Sequence, residues 1–383
     1  MHFISIEWFA WMAFTISTFW LLPSKWRHHS LIAITLAFLA VYSPQSLFIL
    51  VSLSAISFGI VNHGTKQLSG LYASFAIFLN VTILVFYKIN AANQSDTLLT
   101  TQIIPLGLAY YTLRLIHYII EGYKGKLQAH KFIQFIEYTF FLPTIVVGPI
   151  HRFSEFHKDI KRHHWDLSMI ANGSERILYG YVKLTFVANY LISGLFSQYI
   201  TTVGGPNDPL VLYLNMVRTG LNLYMQFSGF SDIAIGFGKI LGFKVMENFK
   251  WPYFQKNISD FWRCWHISLT SWCREYIYNS VFSITRMPML GALATMIIMG
   301  LWHEFSLRYL VWGIYHGIGI IVLQMFQQHK HQLPKLPDAS KPFTNVLSVL
   351  FTLHFVWLGF SLVRYPTLGE AFTAMKTVIL FWM

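Results

Sequence analysis

The chain has 383 residues; 55% are hydrophobic, 11% are charged, and the formal net charge is +12. A soluble domain carries about 25% charged residues, so that class is excluded. With 34 Phe, 20 Tyr and 13 Trp, the composition suits a bilayer with aromatic belts. The basic residues are spread through loops between apolar segments, which argues for a cytoplasmic membrane face and against a nucleic-acid patch.

A chain of this length supplies about ten spans of ~20 residues plus loops. No long Pro/Ser-rich linker or low-complexity tract interrupts it. The expected architecture is all-α: one polytopic membrane domain over residues 1–383, with about 10–11 transmembrane helices plus re-entrant or interfacial short helices. Residues 1–22 lack a basic n-region, and Lys25 and Arg27 follow the apolar run. The first segment therefore reads as a retained span, not a cleaved signal.

In chain order, spans are expected at about Ile4–Leu22, Leu31–Tyr42, Leu47–Val61, Leu71–Tyr87 and Leu98–Ile120. The connections near Lys25 and Arg27, near Lys66, and at Lys124, Lys126 and Lys131 are basic. Those at 43–46 and 90–96 carry no Lys or Arg. The positive-inside rule then places the N-terminus outside and the basic connections in the cytoplasm. Residues 132–150 are apolar but hold Glu137, Pro143, Gly148 and Pro149, and basic stretches flank them. They read as a pair of short re-entrant or interfacial helices on the cytoplasmic side. Further spans follow at about Leu178–Phe196 and Leu210–Phe227. Glycines 229, 236, 238 and 242 permit close helix approach. The loop Phe243–Lys256 is basic and reads as cytoplasmic. Spans at about Met289–Trp302, Leu307–Phe326, Phe343–Val363 and Ala371–Met383 complete the chain, with Lys330–Lys341 as the last clear loop. No internal duplication is visible, which counts against many secondary transporters.

Titratable groups cluster between Asn257 and Gly317. The run 257–278 repeats Trp262, Trp265, Leu269, Trp272 and Tyr276 at helical spacing, which predicts one amphipathic helix. Asn257 or Ser259 can cap it, and Asp260 sits in its first turn. His266 borders the apolar face, either as a functional group or as a polar anchor. Cys264 and Cys273 would lie about 13 Å apart on such a helix, beyond disulfide reach. His303 follows Gly300-Leu-Trp302 near the end of an apolar run. A membrane histidine can simply pack two helices; as a neutral imidazole it can also take a proton from an attacking hydroxyl. Glu304 would point about 100° away from it on a helix. His316 would lie about 20 Å further along an unbroken helix and be turned about 220° from His303. Gly313 and Gly317 then assign that turn to packing, and His316 reads as structural. Arg263 or Arg274 could hold a phosphate, or anchor at lipid headgroups. The pairs His28/His29, His163/His164 and His329/His331 have no companion ligands at metal spacing, so no metal is expected.

Several of these stretches carry a resemblance. Asp260-Phe-Trp-Arg-Cys-Trp-His266-Ile-Ser-Leu-Thr-Ser-Trp followed by Gly300-Leu-Trp-His303 resembles the membrane-bound O-acyltransferase family. The similarity is to its bacterial branch, which acylates cell-surface polymers and includes alginate O-acetyltransferases and teichoic-acid D-alanyltransferases. Pro105-Leu-Gly-Leu-Ala-Tyr-Tyr-Thr, Phe141-Leu-Pro-Thr-Ile-Val-Val-Gly-Pro149-Ile-His-Arg-Phe and Gln226-Phe-Ser-Gly-Phe-Ser-Asp232-Ile-Ala-Ile-Gly236 agree with it in the same order. Separated motifs in order are specific. The resemblance implies an acyltransferase of the bacterial cytoplasmic membrane with no permanently bound cofactor. It implies an acyl-CoA or acyl-phosphopantetheine carrier as donor and a hydroxyl of a cell-surface glycan or an intermediate as acceptor; Arg263 and Trp262 are the residues expected to bind that donor. A periplasmic transferase partner is also implied. His303 matches the position the family treats as catalytic, expected here as a buried base reached by tunnels, and His266 matches the first motif histidine. Glu304 stands where glycine is common, and the segment after Tyr278 is short; both bear on the acceptor. D-alanyl transfer, and a transporter or export scaffold without catalysis, remain the alternatives.

Overall fold

The computed structural model describes residues 5–63, 68–93, 104–160, 165–329, 332 and 341–382. Expectations that fall on Ile4, Lys66, residues 94–96, the start of a span at Leu98, His163, His164, His331, Met383 and most of the loop 330–341 lie outside them. Among the described residues the chain is helical throughout; the only extended pairing is a single bridge between Phe249 and Trp265. Four helical stretches are long and apolar enough to cross a membrane: Pro44–Val61, Gly70–Ala91, Leu307–His329 and Lys341–Arg364. The remaining helices are shorter or more polar. The chain groups into two compact units, residues 1–181 with 229–246, and residues 182–228 with 247–383.

The first unit begins with α1 (Ile6–Leu21), capped by the Ser5 hydroxyl, which accepts the Trp8 amide. The helix α2 (Ser24–Tyr42) starts at Pro23, so the basic cluster at Lys25 to His29 occupies helix, not a connection. There the Arg27 guanidinium lies 4.8 Å over the Trp20 ring, and His28 pairs with the buried Glu137 at 2.5 Å. The next elements are α3 (Pro44–Val61), α4 (Gly70–Asn93) and α5 (Leu108–Tyr123). The turn before α5 explains its Pro-Leu-Gly signature. Gly107 has φ +78, and a Cβ there would lie 2.2 Å from the Ile145 carbonyl oxygen, so only glycine fits.

The interrupted apolar run resolves into α6 (Phe132–Thr139) and α7 (Leu142–Ile145). At 8 and 4 residues, neither can cross ~30 Å of hydrocarbon. Both are held from α5 by Arg114, which is 1% exposed and donates to the Thr139 carbonyl of α6 at 3.4 Å and, in α7, to the Thr144 carbonyl at 2.6 Å and its hydroxyl at 2.7 Å. Then come α8 (Phe153–Ile160) and α9 (Leu167–Tyr181). Residues 229–240, the end of a long helix, pack on α9 along a glycine seam. A Cβ on Gly173 would meet the Gly236 carbonyl at 2.8 Å, and one on Gly180 would meet the Gly229 carbonyl at 2.7 Å. The buried Asp232 pairs with Arg176 of α9 at 2.7 Å.

The second unit opens with the wide-wound π-helical segment Val182–Phe196. It continues into α10 (Ser197–Val203) and α11 (Pro209–Ile240), whose residues 209–228 belong here. The stretch around His266 forms α12 (Ile258–Cys264), α13 (Ile267–Cys273), a π turn at Arg274–Tyr278 and α14 (Asn279–Thr285). It is followed by α15 (Pro288–His303), α16 (Leu307–His329), α17 (Lys341–Gly359), α18 (Ser361–Arg364) and α19 (Leu368–Trp382). Tyr253 ties the loop 247–257 to α11 by donating to the Gly220 carbonyl at 2.6 Å.

The seam on α9 makes a prediction. Gly173→Val and Gly236→Val push branched carbons into facing backbone, and overpacking of this kind costs about 1–3 kcal/mol. Thermal unfolding in detergent reports the loss as a lowered midpoint in either variant; an unchanged midpoint for both would contradict the seam.

Candidate active site

Asn257 starts α12 as an N-cap, its side-chain oxygen accepting the Asp260 amide at 2.9 Å. The helix then stops after seven residues. Trp265 is extended, and His266 takes a left-handed conformation with φ 45 and ψ 53. The run 257–278 is therefore not one amphipathic helix, as its periodicity predicts, but two short helices with a corner at the histidine. The cause lies outside the run. The Ile267 amide donates to the Asn248 carbonyl at 2.9 Å, and the Ser268 amide to the Asn248 side chain at 3.3 Å. The Cys264 carbonyl accepts from Lys250 N–H at 3.0 Å. These partners replace the bonds that a continuing helix would have used. Both cysteines are free thiols.

The other wall is a hairpin of α15 and α16. Its turn, residues 304–306, ends at Ser306, whose hydroxyl and carbonyl accept the Tyr309 and Leu310 amides. The two helices then run in backbone contact. A Cβ on Gly300 would lie 2.3 Å from the Tyr309 carbonyl oxygen, and one on Gly313 2.5 Å from that of Met296. This reversal corrects the expected distance between His316 and His303. On a straight helix His316 would be remote from His303; in the hairpin both contact Trp312, with ring centroids 5.9 Å away for His303 and 4.8 Å for His316.

The corner and the hairpin line a partly open pocket of about 120 Å³, walled mostly by rings. Phe227 comes from α11, Trp262, Trp265 and His266 from the corner, and His303, Tyr309, Trp312 and His316 from the hairpin. Leu223, Phe261, Val356, Phe360 and Val363 complete it. The His266 and His303 ring centroids are 6.3 Å apart. His266 is 1% exposed and His316 2%. His303, the last residue of α15, is exposed, so the expectation of a buried imidazole is corrected: the ring is open to an incoming group. The helix end at residue 303 places it at a rim, where the turn leaves one side uncovered.

Of the residues singled out in the sequence, the structure brings Trp262, His266 and His303 together. Arg263 is not with them. Its side chain is 66% exposed, outside the pocket lining, and paired with Asp260 at 3.1 Å. Arg274 is also exposed and outside the lining. Glu304 is engaged by Arg308 at 2.9 Å. Arg308 in turn donates to the Val363 and Tyr365 carbonyls, tying the turn to the end of α18. Tyr309 and Trp312 are additions that periodicity could not supply, because it is the chain reversal that aims them at His303.

The model of MBOAT, the membrane-bound O-acyltransferase family, matches residues 4–364. The chain is 30% identical over 319 residues to the probable alginate O-acetylase AlgI of Pseudomonas aeruginosa, covering 81% of this chain and 57% of that protein. It is 31% identical over 274 residues to the teichoic acid D-alanyltransferase of Bacillus subtilis, covering 67% of each. It is 25% identical over 348 residues to the peptidoglycan O-acetyltransferase of Helicobacter pylori, covering 81% of this chain and 64% of that protein. The match to the alginate relatives spans between 47% and 60% of their length.

The left-handed corner separates backbone from imidazole at residue 266. A non-glycine residue in that conformation is strained by about 1–2 kcal/mol. His266→Gly is therefore expected to unfold at a higher temperature than His266→Ala, although both lack the ring. Equal midpoints in detergent would mean that the corner relaxes.

Proposed function

The chain belongs to the membrane-bound O-acyltransferase family, and we propose that it transfers an acyl group, most simply acetyl, from a thioester to a hydroxyl. The donor is acyl-CoA or an acyl-phosphopantetheine carrier on the cytoplasmic side. The acceptor is a hydroxyl of an extracytoplasmic cell-surface polysaccharide, or an intermediate that passes the group on. The protein is multi-pass in the bacterial inner membrane with its N-terminus extracytoplasmic, and works with a periplasmic transferase that takes over the acyl group. No cofactor stays bound. The whole of 1–383 acts as one acyltransferase domain.

The observation that carries this reading is the pairing of an exposed imidazole with a buried one in a single aromatic pocket, His303 and His266, 6.3 Å apart. His303 acts as general base. Its neutral ring takes the proton of the acceptor hydroxyl as the oxygen attacks the thioester carbonyl carbon. The new C–O bond forms, the C–S bond breaks, and the departing thiolate recovers the proton from the imidazolium. His266 assists from the donor side by orienting the thioester. The surrounding rings exclude water, so hydrolysis does not compete with transfer. Trp262 contributes to donor binding from the pocket wall. Arg263, on the exposed face of α12, contributes at a distance from the reacting atoms, by receiving the donor phosphate.

A second reading differs only in the group carried. The 31% identity to a teichoic acid D-alanyltransferase supports D-alanyl transfer on the same histidine chemistry.

Mass analysis of the surface glycans tests both. A deletion strain complemented with wild type is expected to regain acylation, and the added mass identifies the group. Positioned general bases contribute about 10²–10⁴-fold, so His303→Ala is expected to leave acylation below detection at equal protein level. Full restoration by His303→Ala would reject the proposal in favour of transport or scaffolding.

A further inference from the structure

Three buried nitrogens of residues that line the pocket have no hydrogen-bond partner among the described residues: Trp262 Nε1, Trp312 Nε1 and His316 Nδ1. Their residues are 5%, 6% and 2% exposed. Burying an N–H without an acceptor is costly, and such groups call for an explanation. Two indoles outside the pocket are satisfied: Trp20 Nε1 donates to the Ile240 carbonyl at 3.0 Å, and Trp11 Nε1 to the Tyr42 hydroxyl at 3.2 Å. Trp357 Nε1, also outside it, is unpartnered among the described residues, so it is the clustering of the three that singles them out. The three unpartnered groups also share one contact. The ring centroids of Trp262 and Trp312 are 5.6 Å apart, those of Trp262 and His316 5.2 Å, and those of Trp312 and His316 4.8 Å. Trp312 adjoins His303 as well, at 5.9 Å.

We propose that Trp262, Trp312 and His316 receive the carbonyl oxygen of the acyl thioester and hold the oxyanion that forms on it when the acceptor attacks. The inference rests on the acyl-transfer reading and deepens it. An indole N–H can only donate, so the wall requires an acceptor. In a thioester the sulfur and the short acyl chain are nearly apolar and suit the rings; the carbonyl oxygen is the one strong acceptor. As the acceptor oxygen bonds to the carbonyl carbon, the C=O π pair moves onto that oxygen. The two indoles donate to it, and His316 donates from Nδ1 in the tautomer that carries the hydrogen there. When the pair returns, the C–S bond breaks and the thiolate leaves with the proton held on His303. Donors fixed in a water-excluded wall favour the charged oxygen over the neutral one, which is the requirement for catalysis and not merely for binding. His316 thereby becomes a catalytic residue of a kind distinct from the two motif histidines.

The test uses the full chain in lipid nanodiscs, supplied with periplasmic extract of the same strain as the source of the transferase partner, and S-acetyl phosphopantetheine, the arm common to both donor classes. Trp262→Phe and Trp312→Phe keep a ring and remove the N–H. Each is expected to lower kcat for transfer to extracted surface polysaccharide by about 10²-fold, with KM for the thioester changed by no more than a few-fold. Isotope-edited infrared spectra of the bound thioester are expected to show its C=O stretch at lower frequency than in water. In the Phe variants it should return toward the unbonded value. Wild-type kcat and an unmoved C=O stretch in both variants would overturn the inference. If a variant fails to fold, the wild-type spectrum still decides, because an unshifted stretch there excludes the hydrogen bonds. Wild-type protein that binds the thioester with a lowered stretch but acylates nothing would instead overturn the acyl-transfer reading.

Discussion

The site depends first on how closely two helix backbones approach. At Gly300 and Gly313 the facing carbonyls stand where side-chain carbons would be, so α15 and α16 are locked in register by the absence of anything larger. Residues on either side of the turn at 304–306 are thereby brought opposite each other. His303 and His316, separated in sequence, become neighbours of the same indole, Trp312. A looser hairpin would keep the same helices and lose the pocket.

The second fixed point is the corner at His266. Helix α12 ends because strand-like backbone at 248–250 offers partners for the Cys264 carbonyl and the Ile267 and Ser268 amides. The chain then turns through a conformation that histidine adopts only under constraint. Its ring meets Phe227 edge-on at 4.5 Å and faces His303 at 6.3 Å. One histidine is thus buried by a backbone corner, and the other is left open by a helix end. Such an arrangement gives two like groups unlike surroundings, the general route by which one residue type performs two tasks.

Much of this was legible in the sequence, and the failures have physical causes. Composition and apolar run lengths set the all-α membrane class, because spans are fixed by bilayer thickness. The interruption of 132–150 by Glu137, Pro143 and Pro149 marked short helices, and the glycines after 229 marked a close approach. Asn257 announced its own helix start. The corner at His266 left no trace, since neither glycine nor proline occupies it and the apolar period runs through 262, 265, 269, 272 and 276 undisturbed. Its cause is a tertiary contact from Asn248. The place of His316 relative to His303 was misjudged because a straight helix was assumed. The glycines at 300 and 313 could have signalled the fold-back, each being the small partner that the other side of a hairpin requires. The exposure of His303 was likewise invisible, since it follows from where the helix ends and not from what surrounds it in the chain.

The walls of the pocket are rings and branched aliphatic side chains, without a methionine among them. Indoles and imidazoles turn about two bonds only, and here they brace one another edge to face. Such a lining yields little to a bulkier occupant. Each added methylene is then felt as strain or gained contact worth about 1–3 kcal/mol. For the acyl group proposed to enter it, such a cavity would be a gauge: chain length would be measured by shape, with no polar feature needed to tell one saturated acyl group from the next.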